Sequence, residues 1–212
     1  PCPHLTGPSG VSVRLPPALT RNSTSPPWTP PPPGWYSKLW FMNYASNPQY
    51  TKFRNLQYDP TLLNASNPSG PVNDLFTFQF PGNATIYTTY GIDTPNSTYP
   101  AVLDYVGTGI LVNATSQYSL LAWGCDKKRN PYYVSYSTAT EVTQTPAGID
   151  VMSTTDEGVE GATVEKLFEK LGMLENEEVR GLVGSLVRMK QDGGRRGLPR
   201  VSFLLVVGGV QV

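Results

Sequence analysis

The 212-residue sequence predicts a mainly β fold built as one domain. Three observations lead there. Its 12 tyrosines and frequent threonines suit pleated, half-buried strands, and its 21 prolines and 20 glycines cut the chain into short pieces. Short segments of alternating apolar and polar residues recur, divided by clusters of Pro, Gly, Asn and Asp. Apolar residues at helical spacing occur only beyond residue 160.

Residues 1–33 are rich in Pro, Ser and Thr and end in Pro30, Pro31, Pro32 and Pro33. Such a stretch has little capacity for helix or ladder and tends to polyproline II, so an extended arm lying over the body is expected. Strands begin after Gly34, first over residues 35–44 with Trp35, Trp40 and Met42, then over 50–58 with Phe53, Leu56 and Tyr58. Residues 75–80 alternate cleanly, with Phe76, Phe78 and Phe80 on one face. Pro81, Gly82 and Asn83 read as a hairpin turn, and residues 85–91 as its return strand, with Ile86, Thr88 and Tyr90 opposed to Tyr87 and Thr89. Residues 101–112, 118–125 and 132–142 continue the meander, which can close as a barrel or pack as a sandwich.

Beyond that point Val164, Leu167, Phe168, Leu171 and Leu174 predict a helix, with Thr163 as a cap and Gly172 weakening its end. A second apolar stripe, Val179, Leu182, Val183, Leu186 and Val187, predicts helix to about residue 190. Glu177 and Glu178 in its first turn and Arg188 and Lys190 in its last suit the helix dipole, while Gly181 and Gly184 lower its propensity. A Gly-rich link leads to a final strand near 201–207, expected as a buried edge partner or as a surface that joins another chain's sheet.

Sixteen basic and sixteen acidic residues cancel, so the chain has no long-range field to gather nucleic acid or an anionic membrane. Its basic clusters (Lys127, Lys128, Arg129; Arg195, Arg196, Arg200) read as solvated turns. No apolar run reaches the roughly 20 residues of a membrane-spanning helix. Asn-x-Ser/Thr sequons at Asn22, Asn64, Asn83, Asn96 and Asn113 predict N-linked glycans on exposed segments and a secreted, extracellular protein. In an oxidising compartment Cys2 and Cys125 read either as one internal bridge, worth roughly 4–5 kcal/mol by chain entropy, or as an intermolecular bond. The start at Pro1, Cys2 and Pro3 reads as a processed N-terminus.

Three features together resemble the lipocalin family, in particular its apolipoprotein D and insect bilin-binding branch. Cys2 and Pro3 stand upstream of a Gly34, Trp35, Tyr36 opening. The segment from Tyr118 through Leu120 to Cys125 has the form Tyr-x-Leu-x-x-x-x-Cys. A helix and a last strand follow the meander. The resemblance implies an up-and-down antiparallel β-barrel with a C-terminal helical segment, Cys125 as the partner of Cys2, and Trp35 closing the barrel floor. It divides the chain into a Pro-rich arm over 1–33, tethered by Cys2, and a barrel over 34–212. The sequence also departs from the family. Gly34 adjoins Trp35 directly where the family has one residue between them, no Arg stands in 138–142, and no second disulfide is possible.

The resemblance further implies a carrier or sequestering protein that holds a small hydrophobic ligand. A barrel of about eight strands is just wide enough inside for one. Tyr58, Phe78, Tyr90, Trp123 and Tyr133 are the candidate ligand-binding residues, since each falls on a predicted strand and offers an apolar wall or an orienting OH or NH. A self-assembling extracellular glycoprotein with a filled barrel, oligomeric through its last strand or its arm, is the alternative. A barrel enzyme of the violaxanthin de-epoxidase type is a lesser one. No catalytic centre is expected: the one histidine, His4, lies in the arm, and no metal-ligand cluster or nucleotide loop is present. The pairs Asp93 with Asp104 and Asp150 with Asp156 could do acid–base work, but exposed turn carboxylates are far commoner.

Overall fold

A computed structural model describes residue 2, residues 10–20 and residues 28–201. Within them the meander closes into a barrel. Its strands are β1 (Trp40–Ala45), β2 (Arg54–Tyr58), β4 (Val72–Gln79), β5 (Tyr87–Pro95), β6 (Val102–Gly107), β7 (Thr115–Cys125), β8 (Pro131–Ser137) and β9 (Gly148–Ser153). Each pairs antiparallel with the next, and β9 returns to pair with β1, with Phe41 opposite Ser153. A two-residue β3 (Thr61–Leu62) lies against β4. Closure leaves the eight barrel strands no free edge along the paired residues.

Sequence alternation decides which side chains face in. Along β4, Asp74, Phe76 and Phe78 point into the barrel. Bulges in β1 at Met42/Tyr44 and in β7 at Leu120/Ala122 shift the phase midway along each strand. Gly91 on β5 is required by a close approach: a Cβ there would lie 2.4 Å from Tyr105 Cε2 and 2.6 Å from the Val106 carbonyl oxygen.

Several expected boundaries move. The segment 132–142 is strand only to Ser137; residues 138–147 turn, and the chain returns as β9, which alternation did not reveal. All six residues of β9 are buried, so the outward side is apolar under the helices while the inward side carries Asp150, and the period-2 signal is lost. The segment 101–112 stops at Gly107 before a short 3₁₀ turn. Residues 28–39 precede β1 and join the closed end of the barrel.

Helix α1 (Gly161–Gly172) and helix α2 (Glu177–Gly184) lie over the outer face of β7, β8 and β9. Leu167 and Leu171 of α1 and Val179 of α2 are fully buried there against Tyr136, Ile149 and Val151. The α1 cap is Glu160, which accepts from the Thr163 backbone N–H at 3.3 Å; Thr163 sits one turn in rather than capping. The second helix ends at Gly184 instead of near 190. Beyond its two glycines, Val187–Arg188 forms β10 on β1, with Tyr44 opposite Arg188, and Met189 N–H donates to the Asn43 carbonyl at 2.8 Å. Strand bonds there replace the helical ones. The final strand expected near 201–207 falls almost wholly outside the described residues, and Val201 is not in a strand.

Cys2 and Cys125 form an internal disulfide with a Cα–Cα distance of 6.0 Å. Residues 10–15 continue the tether: Val13 pairs with Ala122, and Arg14 donates to the carbonyls of Leu120 at 2.7 Å and Ala101 at 2.9 Å. Desolvation lowers the Arg14 guanidinium to about 10, and its planar face lies 4.0 Å over Trp28. His4 and Asn22 lie outside the described residues.

Candidate functional site

The lower half of the barrel is filled. Trp35, Trp40, Met42, Leu56, Tyr58, Tyr133 and Met152 pack into one cluster, each at most 4% exposed. Trp35 meets Trp123 edge-on at 5.0 Å, and Trp123 donates its indole N–H to the Thr29 carbonyl at 2.7 Å. Lys38 lies over the Trp35 ring at 4.5 Å.

Above this floor a cavity of about 280 Å³ opens between the loops that follow β1, β4, β6 and β8. Phe53, Leu56, Phe76, Phe78 and Leu111 give it an apolar wall, and Tyr50, Tyr105, Tyr118, Thr89 and Ser116 set hydroxyls into that wall. A second, more open hollow of about 470 Å³ lies outside the barrel between α1 and the disulfide. Lys127, Glu165, Lys166 and Glu169 border it, so it lacks an enclosed apolar wall.

Three carboxyl groups line the barrel cavity: Asp74 on β4, Asp93 on β5 and Asp150 on β9. All are buried, at 8%, 2% and 5% exposure. Among the described residues, none that lines the cavity is basic. Asp74 and Asp93 lie close enough to hydrogen-bond one another, and the Tyr58 hydroxyl donates to Asp93 Oδ2 at 2.7 Å. Around the closed sheet β9 is four strands from β5, so Asp150 faces the Asp74–Asp93 pair from the opposite wall. Its Oδ1 has no hydrogen-bond partner among the described residues.

Burial governs their titration. Desolvation raises Asp150 to about 7. Asp93 rises to about 6, because desolvation outweighs the bonds from Tyr58 and Asp74. Asp74 is pushed well up by desolvation and then by the Asp93 charge. Tyr50 is raised by burial and by both Asp150 and Asp74, which places its hydroxyl within the field of both walls. Beneath them Tyr36, Tyr58, Tyr118 and Tyr133 form a phenol cluster, with Tyr118 OH donating to Tyr133 OH at 3.0 Å. All four are held neutral above their ordinary range, chiefly by burial.

The candidate ligand residues are distributed unevenly. Phe78 lines the cavity. Tyr58 and Tyr133 lie in the floor; Tyr58 stacks on the lining ring of Phe76 at 4.7 Å, and Tyr133 bonds the lining Tyr118. Trp123 is at the closed end. Tyr90 has the opposite parity to Thr89 and Asp93 on β5 and is not part of the cavity wall; its ring lies near Gly109. The carboxylate pairings read from the sequence do not form. Asp104 is on the outer side, accepting from Asn96 and Gln117, and Asp156 pairs with exposed Arg196. Asp93 and Asp150 instead share the cavity with Asp74. One sequence signal could have found Asp74: it is in phase with Phe76 and Phe78 on an otherwise aromatic face. Of the sequons, Asn64, Asn83, Asn96 and Asn113 lie on loops between strands.

No protein-family model matches the chain. A fungal protein, the botcinic acid biosynthesis cluster B protein 12 of Botryotinia fuckeliana (strain B05.10), is 30% identical over 203 residues, 92% of this chain and 91% of that protein. Among solved structures, the siderocalin Ex-FABP is similar with a TM-score of 0.52 at 11% identity, over 74% of this chain and 95% of that one. Apocrustacyanin C2 matches with a TM-score of 0.52 at 11% identity, over 74% of this chain and 78% of that one. Lobster apocrustacyanin A1 matches at 0.51 and 11%, with the same coverage. Identities this low speak for the fold alone, and that fold is the lipocalin barrel.

Proposed function

Since the chain belongs to the family of the botcinic acid biosynthesis cluster B protein 12 and folds as a lipocalin, we propose that it binds a small, largely apolar molecule of a biosynthetic route inside its barrel. The observation that carries this reading is the half-enclosed cavity of about 280 Å³, aromatic on its sides and acidic toward its base. Such a wall selects a ligand with a flat or branched hydrocarbon body. Buried carboxyl groups without basic neighbours select neutral oxygen functions or a cation, and turn away carboxylate ligands. The disulfide and the loop positions of Asn64, Asn83, Asn96 and Asn113 support a secreted glycoprotein.

The test is a titration with the neutral dye N-phenyl-1-naphthylamine. The expected result is a saturable rise in dye emission at one site per chain. Ser116→Trp, which places an indole in the cavity, should weaken the dye by about 1–3 kcal/mol of binding free energy while leaving the circular dichroism spectrum unchanged. Equal dye affinity in both proteins would move the ligand out of the barrel.

A further inference from the structure

We propose that Asp150 on one wall and the Asp74–Asp93 pair on the other form an acid–base centre that isomerises a bound carbonyl compound by moving a proton along its carbon skeleton. The proposal rests on the barrel binding a small molecule and adds a reaction to it.

The geometry supplies both halves of such a centre. Asp150 presents an oxygen with no partner among the described residues, in a cavity lined by rings and hydroxyls and by no basic group. On the facing wall Asp74 and Asp93 lie side by side, Asp93 Oδ2 accepts from the Tyr58 hydroxyl, and Asp93 Oδ1 likewise has no partner among the described residues, so the pair can share a proton. A structural role alone does not account for three buried carboxyls in one cavity, because none of them closes an ion pair among the described residues. Their environments also raise them to different extents. Burial pushes Asp74 well above the ordinary carboxylate range, Asp93 up to about 6 and Asp150 up to about 7.

The step balances without a co-reactant. The Asp150 carboxylate takes a proton from the carbon beside the carbonyl: an O–H bond forms and a C–H bond breaks. The freed pair makes the C=C bond, and the carbonyl π pair moves to oxygen, which takes the proton held by the Asp74–Asp93 pair. In an unsaturated ligand Asp150 then returns its proton to the far carbon. The electron pairs shift back, the carbonyl re-forms, and the enol proton goes back to the pair. The product is an isomer of the ligand and the protein is unchanged. Tyr58 acts as a positioning residue, holding Asp93 toward Asp74.

The experiment uses the full chain and 2-tetralone, a neutral ketone small enough for the cavity, in deuterated buffer at pD near 7. Displacement of the naphthylamine dye establishes that 2-tetralone enters the barrel. Proton NMR then follows exchange of the hydrogens beside its carbonyl. The expected result is exchange about a hundredfold faster than in buffer. That gain should fall to the buffer rate in Asp150→Asn and in Asp93→Asn, with the circular dichroism spectrum kept in both. Asp104→Asn, on the outer side of β6, should exchange at the wild-type rate. Wild-type exchange no faster than Asp150→Asn, with the dye still bound, would overturn the acid–base centre and leave the binding function standing. Failure of 2-tetralone to displace the dye would overturn the carbonyl class of ligand. Tight binding of phenethylamine with exchange at the buffer rate would make the carboxylates a counter-ion for an ammonium group, which also overturns the proposal. Loss of dye binding in the wild type would instead remove the small-molecule reading itself.

Discussion

Asp150 couples the cavity to the stability of the barrel. Its folded value of about 7 stands above the ordinary value of about 3.9 that it takes in the unfolded chain. Between those values the folded state keeps a proton that the unfolded state has lost, so stability falls as pH rises through this window, by about 1.4 kcal/mol per unit for the group. The contribution is fully present below about pH 4 and gone above about 7. Asp93 and Asp74, raised by the same burial, act with the same sign, and no described residue lining the cavity is basic and could oppose them. Asp150→Asn should therefore be more stable than the wild type at pH 8 by a few kcal/mol, and the advantage should shrink at pH 5. Urea unfolding at both values measures this; parallel behaviour of the two proteins would mean that Asp150 is not held protonated. Gly91 works at the same scale through space rather than charge. Gly91→Ala puts its methyl against the Tyr105 ring and the Val106 carbonyl, and should cost about 1–3 kcal/mol in the same assay. How much of the site could be read from the sequence also depended on single residues. Alternation gave Phe78 its inward side, and the same rule put Tyr90 on the wrong one, because Asp93 and Thr89 set the phase of β5. The acids went unread because a carboxylate among aromatics looks like a turn residue until the barrel closes over it.

Helix α1 acts as a lid on the outside of the barrel, fixed by a narrow apolar stripe. Leu167 is fully buried among Tyr136, Ile149 and Val151, so Leu167→Ala should cost about 2–5 kcal/mol. Hydrogen exchange should then show faster opening of α1 and of the outer amides of β9, with the cavity strands β4 and β5 less affected. Equal acceleration in all strands would mean that the helix is part of a single cooperative unit. The spacing of Val164, Leu167 and Leu171 made this helix readable, because one face is buried and the other is wet. Strand β9 was unreadable for the opposite reason, being buried on both faces. The stripe beyond Gly184 kept helical spacing by coincidence: Val187 and Arg188 gain more from pairing with Ala45 and Tyr44 of β1 than from another turn after two glycines.

At the scale of the whole molecule, both ends of the described chain clamp the barrel. The disulfide spans 123 residues and fastens the N-terminal segment to the closed end of β7. In the chain-entropy picture such a link contributes roughly 4–5 kcal/mol, so Cys2→Ser with Cys125→Ser should lower the unfolding midpoint without changing dye affinity, because the bridge lies below the floor. At the other end, Arg54 and Asn55 of β2 bind Asp192 at 2.8 and 2.6 Å, Arg195 donates to Thr77 Oγ1 at 2.6 Å, and Arg200 pairs with Asp59. Arg195 and Arg200 had the look of a solvated turn in the sequence, and only the folded barrel brings Thr77 and Asp59 beside them.

The placement of the aromatic floor has an optical consequence. All four tryptophans, Trp28, Trp35, Trp40 and Trp123, belong to the cluster at the closed end, while the cavity wall carries phenylalanines and tyrosines. Indole emission therefore reports on the base of the barrel. A colourless ligand entering from the mouth should leave its wavelength in place, and a shift during any titration would signal that the base itself had rearranged.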